Sequence, residues 1–189
     1  PYTTLFRSGE HLLALQIRQS SRDPRLQRWV TMQRLNTYHH NFVTHLLEAE
    51  LLRRLYRLAE DGEPITTEAI CGLKGEILAG FWGETVEIDE GARLTWMRQP
   101  HYYMGLYPYT YAAGLAGSTS IFQMLVEEGE PAARRWLEVL EAGGTRKPLD
   151  LFRLAGLDMT SPDPLRRAVA YVGGLVDEVE RSFDGCGSA

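Results

Sequence analysis

Apolar residues recur at spacings of three and four along almost the whole chain, the signature of helices packed on one face. Leu12, Leu13, Leu15 and Ile17 predict a short helix over 10–19. Asp23-Pro24 is a helix start, with Asp as N-cap and Pro in the first turn. From there Leu26, Val30, Leu35, Tyr38, Phe42, Leu46, Leu51, Leu55 and Leu58 keep helical rhythm as far as Asp61-Gly62. Ile65-Thr66-Thr67-Glu68 opens a further helix that reaches Gly80–Gly83. The stretch 84–93 alternates at Val86-Glu87-Ile88-Asp89 and reads as a short extended piece or loop. Gln99-Pro100 breaks any helix there. An aromatic segment, 101–111, then grades into a helix rich in small residues that stops at Glu128-Gly129. Pro131 starts an amphipathic helix ending at Gly143-Gly144, and Pro148 starts one ending at Gly156. The last helix starts after Ser161-Pro162 and runs to about Phe183, leaving 185–189 as a flexible tail. No pair of long strands, internal repeat or linker interrupts this pattern, so the expected class is all-α.

Composition narrows the function classes. The chain has 189 residues, 44% of them hydrophobic and 24% charged, enough for a sizeable core under an ordinary polar surface. No apolar run approaches the ~18 residues that would span a bilayer, so no membrane role is expected. The net charge of −5 without a basic cluster argues against nucleic-acid binding. The two cysteines, Cys71 and Cys186, cannot form a disulfide framework or a Cys-based zinc site, which fits a cytoplasmic location. The opening Pro-Tyr-Thr-Thr-Leu-Phe-Arg-Ser lacks Met and joins the helical pattern abruptly at Gly9; residues 1–8 are expected to be a non-native remnant.

Candidate chemistry is sparse. His39, His40, His45 and Glu48 offer one possible metal set, for zinc or iron, but His40 and His45 are five apart and diverge on an α-helix. His45-x-x-Glu48 has a chelating spacing without further partners, so a solvated or partly packed helix face is expected there. Ser118 and Ser120 lack a nucleophile elbow, and Cys71 has no nearby His; both are expected to be structural. The unusual segment is 100–111, which carries His101 with Tyr102, Tyr103, Tyr107, Tyr109 and Tyr111. Tyr is costly to bury without a partner for its hydroxyl. Phenol and imidazole groups can also donate to a developing oxyanion or orient peptide carbonyls.

At this segment the sequence resembles the oligoendopeptidase F family of zinc metallopeptidases, relatives of thimet oligopeptidase. The aromatic block Pro100-His101-Tyr102-Tyr103 … Tyr107-Pro108-Tyr109-Thr110-Tyr111-Ala112-Ala113-Gly114 carries the likeness. Gly83-Glu84-Thr85-Val86-Glu87-Ile88-Asp89 … Trp96 precedes it, and Gly129-Glu130 … Trp136-Leu137 … Ala142-Gly143-Gly144 and Ala155-Gly156-Leu157-Asp158-Met159-Thr160-Ser161-Pro162 follow in family order. The resemblance implies an all-α, grooved catalytic domain, of which 9–184 is the C-terminal helical part. It also implies zinc in the full-length enzyme, held by a His-Glu-x-x-His helix and a further Glu upstream of this chain, with none bound by the chain itself. Short peptides are the implied substrates. His101, Tyr111 and Tyr109 match the family's catalytic positions, and Tyr107 and Tyr103 match substrate-binding ones. The region 39–48 departs from the family by lacking its Arg-containing pattern, which leaves substrate preference open. The other reading is a non-catalytic helical module that binds peptides or serves as a scaffold. The sequence sets no oligomeric state.

Overall fold

The computed structural model describes residues 2–184, whose regular elements are all helical, with no strand among them. The helices are α1 (Tyr2–Ser20), α2 (Pro24–Tyr38), α3 (His45–Glu60), α4 (Thr67–Trp82), α5 (Glu90–Arg93), α6 (Tyr109–Glu128), α7 (Glu130–Ala142), α8 (Pro148–Leu154) and α9 (Asp163–Asp184). Their starts follow the sequence. Asp23 accepts from the Arg25 amide and Thr66 from the Ala69 amide, each replacing a missing helix bond. Pro stands in the first turn of α2, α7 and α8. Gly129 and Gly143, at φ 67° and 53°, bound α7 in a region that side chains rarely enter. Pro1, Cys186 and the expected flexible tail 185–189 lie outside the described residues. No helix among those described is long and apolar enough to cross a membrane.

Three local expectations change. The single long helix expected from Asp23 to Gly62 is interrupted by a π-helical turn, His39–Thr44, between α2 and α3. In such a turn the bonds run to i+5, which re-aims every side chain that follows. The expected extended piece at 84–93 instead ends in α5, because Asp89 caps the Ala92 amide at 2.7 Å. The first helix begins at Tyr2 and buries Ser8 and His11.

Contacts divide the chain into two compact units, Pro1–Phe42 with Ala113–Ala189, and Val43–Ala112. In the first, α2 packs on α1 and α9, and α7 on α8. Ile121, Trp136, Val139, Leu151 and Ala155 form a buried apolar cluster. The small residues of α6 let neighbours approach closely: a Cβ on Gly117 would overlap the ring of Phe152. Ser118, Thr119 and Ser120 are fully buried and satisfy their hydroxyls on helix carbonyls of Leu115 and Ala116. Thr119 donates to Leu115, so Tyr38 must donate to Thr119. His11 sits behind Tyr38, stacked on Phe122 and taking a bond from Arg34. Burial and then the nearby Arg34 and Arg7 charges push the His11 pKa down to about 3. In the second unit α3 packs on α4, with Leu51, Leu52 and Ile77 buried.

Two outcomes follow from this packing. Gly117→Ala should destabilise the chain even though Ala is about 1 kcal/mol better in a helix, because overpacking costs about 1–3 kcal/mol. In a Phe152→Ala background the same change should become stabilising, as should Gly72→Ala in α4, where the space is open; urea unfolding reads all three. His11 stays neutral when folded but protonates near its ordinary 6.5 when unfolded. The unfolded chain therefore binds more protons between pH 6.5 and 3, and stability falls as pH falls through that window. His11→Gln should flatten this part of the stability profile relative to the unsubstituted chain, by up to ~1.4 kcal/mol per pH unit.

Candidate functional site

The site lies within the second unit and is built on the apolar face of α3. Leu55, Leu52 and Leu51 mark that face, and tracing it back three residues at a time reaches Glu48 and then His45. Both are buried, at 2% exposure each. The face expected to be solvated or partly packed is fully packed at these two positions: the two polar residues point with the leucines, and the π turn just before His45 sets their direction. His39 and His40 are exposed.

A buried carboxylate must find donors. His45 Nδ1–H donates to Glu48 Oε2 at 2.7 Å, and Gln99 Nε2 donates to Oε1 at 3.0 Å. Lys74 on α4 is buried too; desolvation pulls its pKa down, while the Glu48 charge pushes it back up. The Tyr102 hydroxyl is buried without a hydrogen-bond partner, and burial, followed by the Glu48 charge, raises its pKa.

Gln99 connects Glu48 to the aromatic segment. Its Oε1 lies 3.2 Å from His101 Nδ1. His101 Nε2 lies 3.1 Å from the Tyr111 hydroxyl, which is 3.3 Å from that of Tyr107. The His101 and Tyr107 rings stack at 5.6 Å, and His45 lies against Tyr111 with ring centres 4.2 Å apart. A continuous polar chain therefore runs His45–Glu48–Gln99–His101–Tyr111–Tyr107. Its first two members are buried, and its last three are half-buried.

Of the five expected site residues, the structure brings together His101, Tyr111 and Tyr107. Tyr109 is 53% exposed and stands apart, since residues two apart on α6 point to different sides. Tyr103 is 80% exposed and lines an apolar cavity of about 310 Å³ with Leu51, Leu55, Tyr56, Trp96 and Tyr102. Sequence reasoning missed Glu48 and Gln99 as members of the site. The available signal was a carboxylate on the leucine face of α3. Cys71 accepts a bond from Trp96 Nε1 at 3.5 Å, and Ser118 and Ser120 are spent on backbone carbonyls. No group of three or more His, Cys, Asp or Glu among the described residues is placed to hold a metal ion.

Comparison with known proteins adds a family. Residues 14–171 match the model described as peptidase family M3. The chain is 28% identical to oligopeptidase PepF of Bacillus subtilis over 92% of its own length and 26% of that protein's. It is 30% identical to the plasmid oligoendopeptidase F of Lactococcus lactis subsp. cremoris, over 70% of this chain and 22% of that one. It thus spans about a quarter of these relatives. The crystal structure of oligoendopeptidase F from Enterococcus faecium superimposes with a TM-score of 0.89 at 24% identity, covering 94% of this chain and 34% of that one. A putative peptidase from Chlamydophila abortus gives 0.82, also at 24% identity, over 91% of this chain and 29% of that one. These two likenesses establish the helical fold.

Proposed function

This chain belongs to peptidase family M3, and we propose that it is the C-terminal part of a zinc-dependent oligoendopeptidase that hydrolyses short peptides in the cytoplasm. The observation that carries this reading is the bonded trio His101, Tyr111 and Tyr107, half-buried at the open end of a buried polar chain. In this reading the metal of the parent enzyme is held by residues outside this chain. When bound there, zinc supplies an activated water and polarises a carbonyl.

This chain's own share is to form part of the groove wall and to place donors. The Tyr111 hydroxyl is held between His101 and Tyr107. A hydroxyl turns about its C–O bond, so the proton that bonds inside the trio can be delivered to a peptide carbonyl. Such a bond strengthens as the oxygen gains negative charge, and a donor fixed in advance needs no reorganisation at that moment. His101 holds the hydroxyl in place through the bond at Nε2. The exposed Tyr109 and Tyr103 rings, which lie away from the trio, offer contact surface to the rest of the peptide, Tyr103 beside the apolar cavity.

Removing one donor of this kind costs about 10²–10³ in kcat. His101→Ala and Tyr111→Phe in the zinc-containing parent should each lower kcat by that order and leave KM nearly unchanged, because the bond is made mainly in the transition state. If both residues only pack, Tyr111→Phe lowers stability by ~1 kcal/mol and kcat stays as it was. Unchanged kcat in both variants sinks the reading.

The isolated chain should hydrolyse no peptide and retain no stoichiometric zinc after dialysis. Metal analysis finding about one zinc per chain would contradict this division of labour.

A further inference from the structure

Helix α9 carries two apolar faces, and packing within the described residues buries one of them. On that side Ala168 and Leu175 are buried, and Glu178 and Ser182 bond to Thr31 and Arg28 of α2. The second face lies one residue further round the helix: Leu165, Val169, Val172, Val176, Val179 and Phe183. Leu165, Val169, Val176 and Phe183 are exposed, and Val172 and Val179 are half-buried. The steps between them alternate four and three, the rhythm of a seam along which two helices pack side by side. At 1.5 Å per residue it runs for ~27 Å. Exposed apolar residues scattered singly need no explanation, but a continuous seam of six marks a contact surface.

The seam matches itself when reversed. Set antiparallel on a copy about position 174, Leu165 meets Phe183, Val169 meets Val179 and Val172 meets Val176. Large side chains thus pair at the ends and valines in the middle. Gly173 and Gly174 stand at the midpoint with open space around them, which leaves room for close approach. The Phe183 ring is held by Arg28, whose guanidinium lies 4.0 Å from its centre. The charges agree as well. Arg166 and Glu180 flank the seam on the side away from α2, equally far from Gly173. The antiparallel setting brings each Arg166 beside a Glu180 of the other copy; a parallel setting leaves the two at opposite ends. A membrane surface fits poorly, because α9 carries five acidic and three basic residues, where a helix lying on anionic lipid is rich in Lys and Arg. An unrelated helix requires no end-to-end match of size and charge, whereas a twofold contact does.

We infer that α9 joins two copies of this chain as an antiparallel, twofold pair, with Arg166 of each copy beside Glu180 of the other. The test is analytical ultracentrifugation of the chain over a concentration series, where a concentration-dependent dimer is expected. Val169→Glu, at a position 60% exposed in the single chain, should give a monomer with its helix content intact by circular dichroism. Arg166→Glu and Glu180→Arg should each raise the dissociation constant roughly tenfold, because the twofold axis makes every changed contact twice. Combined, the two swaps should restore it. Arg166 also touches Asp163 of its own helix at 3.3 Å, but a loss arising from that pair would not be repaired by Glu180→Arg. A chain that stays monomeric throughout the series overturns the inference, and so does a double variant no tighter than the single ones. A longer parent that stays monomeric while the chain pairs shows upstream residues covering the seam and overturns it for the enzyme. Pairing through α9 does not depend on the peptidase reading, and a monomeric chain would leave that reading in place.

Discussion

The buried carboxylate of Glu48 is the constraint on which the candidate site depends. A carboxyl group at 2% exposure is tolerated only when its oxygens are bonded. Here each oxygen takes one donor, His45 from the same helix and Gln99 from the turn that precedes Pro100. The Gln99 bond fastens an otherwise irregular segment to α3. Residues 95–103 contain only short 3₁₀ turns, whose own bonds are weak. Without the carboxylate the bond that ties Gln99 to α3 is gone, and with it the contact that turns the Gln99 carbonyl toward His101. Removing one partner of such a buried group typically costs about 3–5 kcal/mol. A conserved-looking hydrophobic replacement at 48 would thus keep the helix while abandoning the segment above it.

How much of this was legible in the chain follows from what each feature depends on. Helix starts at Asp23-Pro24, Thr66, Pro131 and Pro148 are local, because a cap and a proline act within one turn; the structure shows them where the sequence puts them. The all-α class follows from the same periodicity. The π turn at His39–Thr44 is not local. Its extra residue conflicts with no propensity in the sequence, and the leucine rhythm reads continuously through it. For that reason the sequence suggests only a solvated or partly packed face at His45 and Glu48, where the structure buries both. The short α5 was hidden for the opposite reason: Val86 and Ile88 alternate like a strand, while a single side-chain bond from Asp89 decides the matter.

The site itself was half legible. The concentration of tyrosines around His101 is visible in sequence, but not which of them meet. Tyr107 and Tyr111 are four apart and share a helical face, although Tyr107 precedes the first turn of α6. Tyr109 lies between them in sequence and away from them in space. Gln99 carried no signal beyond its place before Pro100, since an amide reveals its role only when both of its ends have partners.

Two polar chains in this molecule differ in where they end. In the first unit, His11, Tyr38 and Thr119 pass a donor along until it ends on the Leu115 carbonyl. That carbonyl is a fixed acceptor within α6, and Tyr38, Thr119 and His11 are all nearly inaccessible. Nothing can enter, so the network can only hold the helices in register. In the second unit the order is reversed. The fixed acceptor, Glu48, lies at the buried end, and the chain finishes on the hydroxyls of Tyr111 and Tyr107, which are half-buried. Hydroxyl protons can turn where backbone amides cannot, and the two tyrosines that carry these hydroxyls are only half-buried. The deep carboxylate sets which end of Gln99 faces it, and the shallow hydroxyls are where the chain nears the surface.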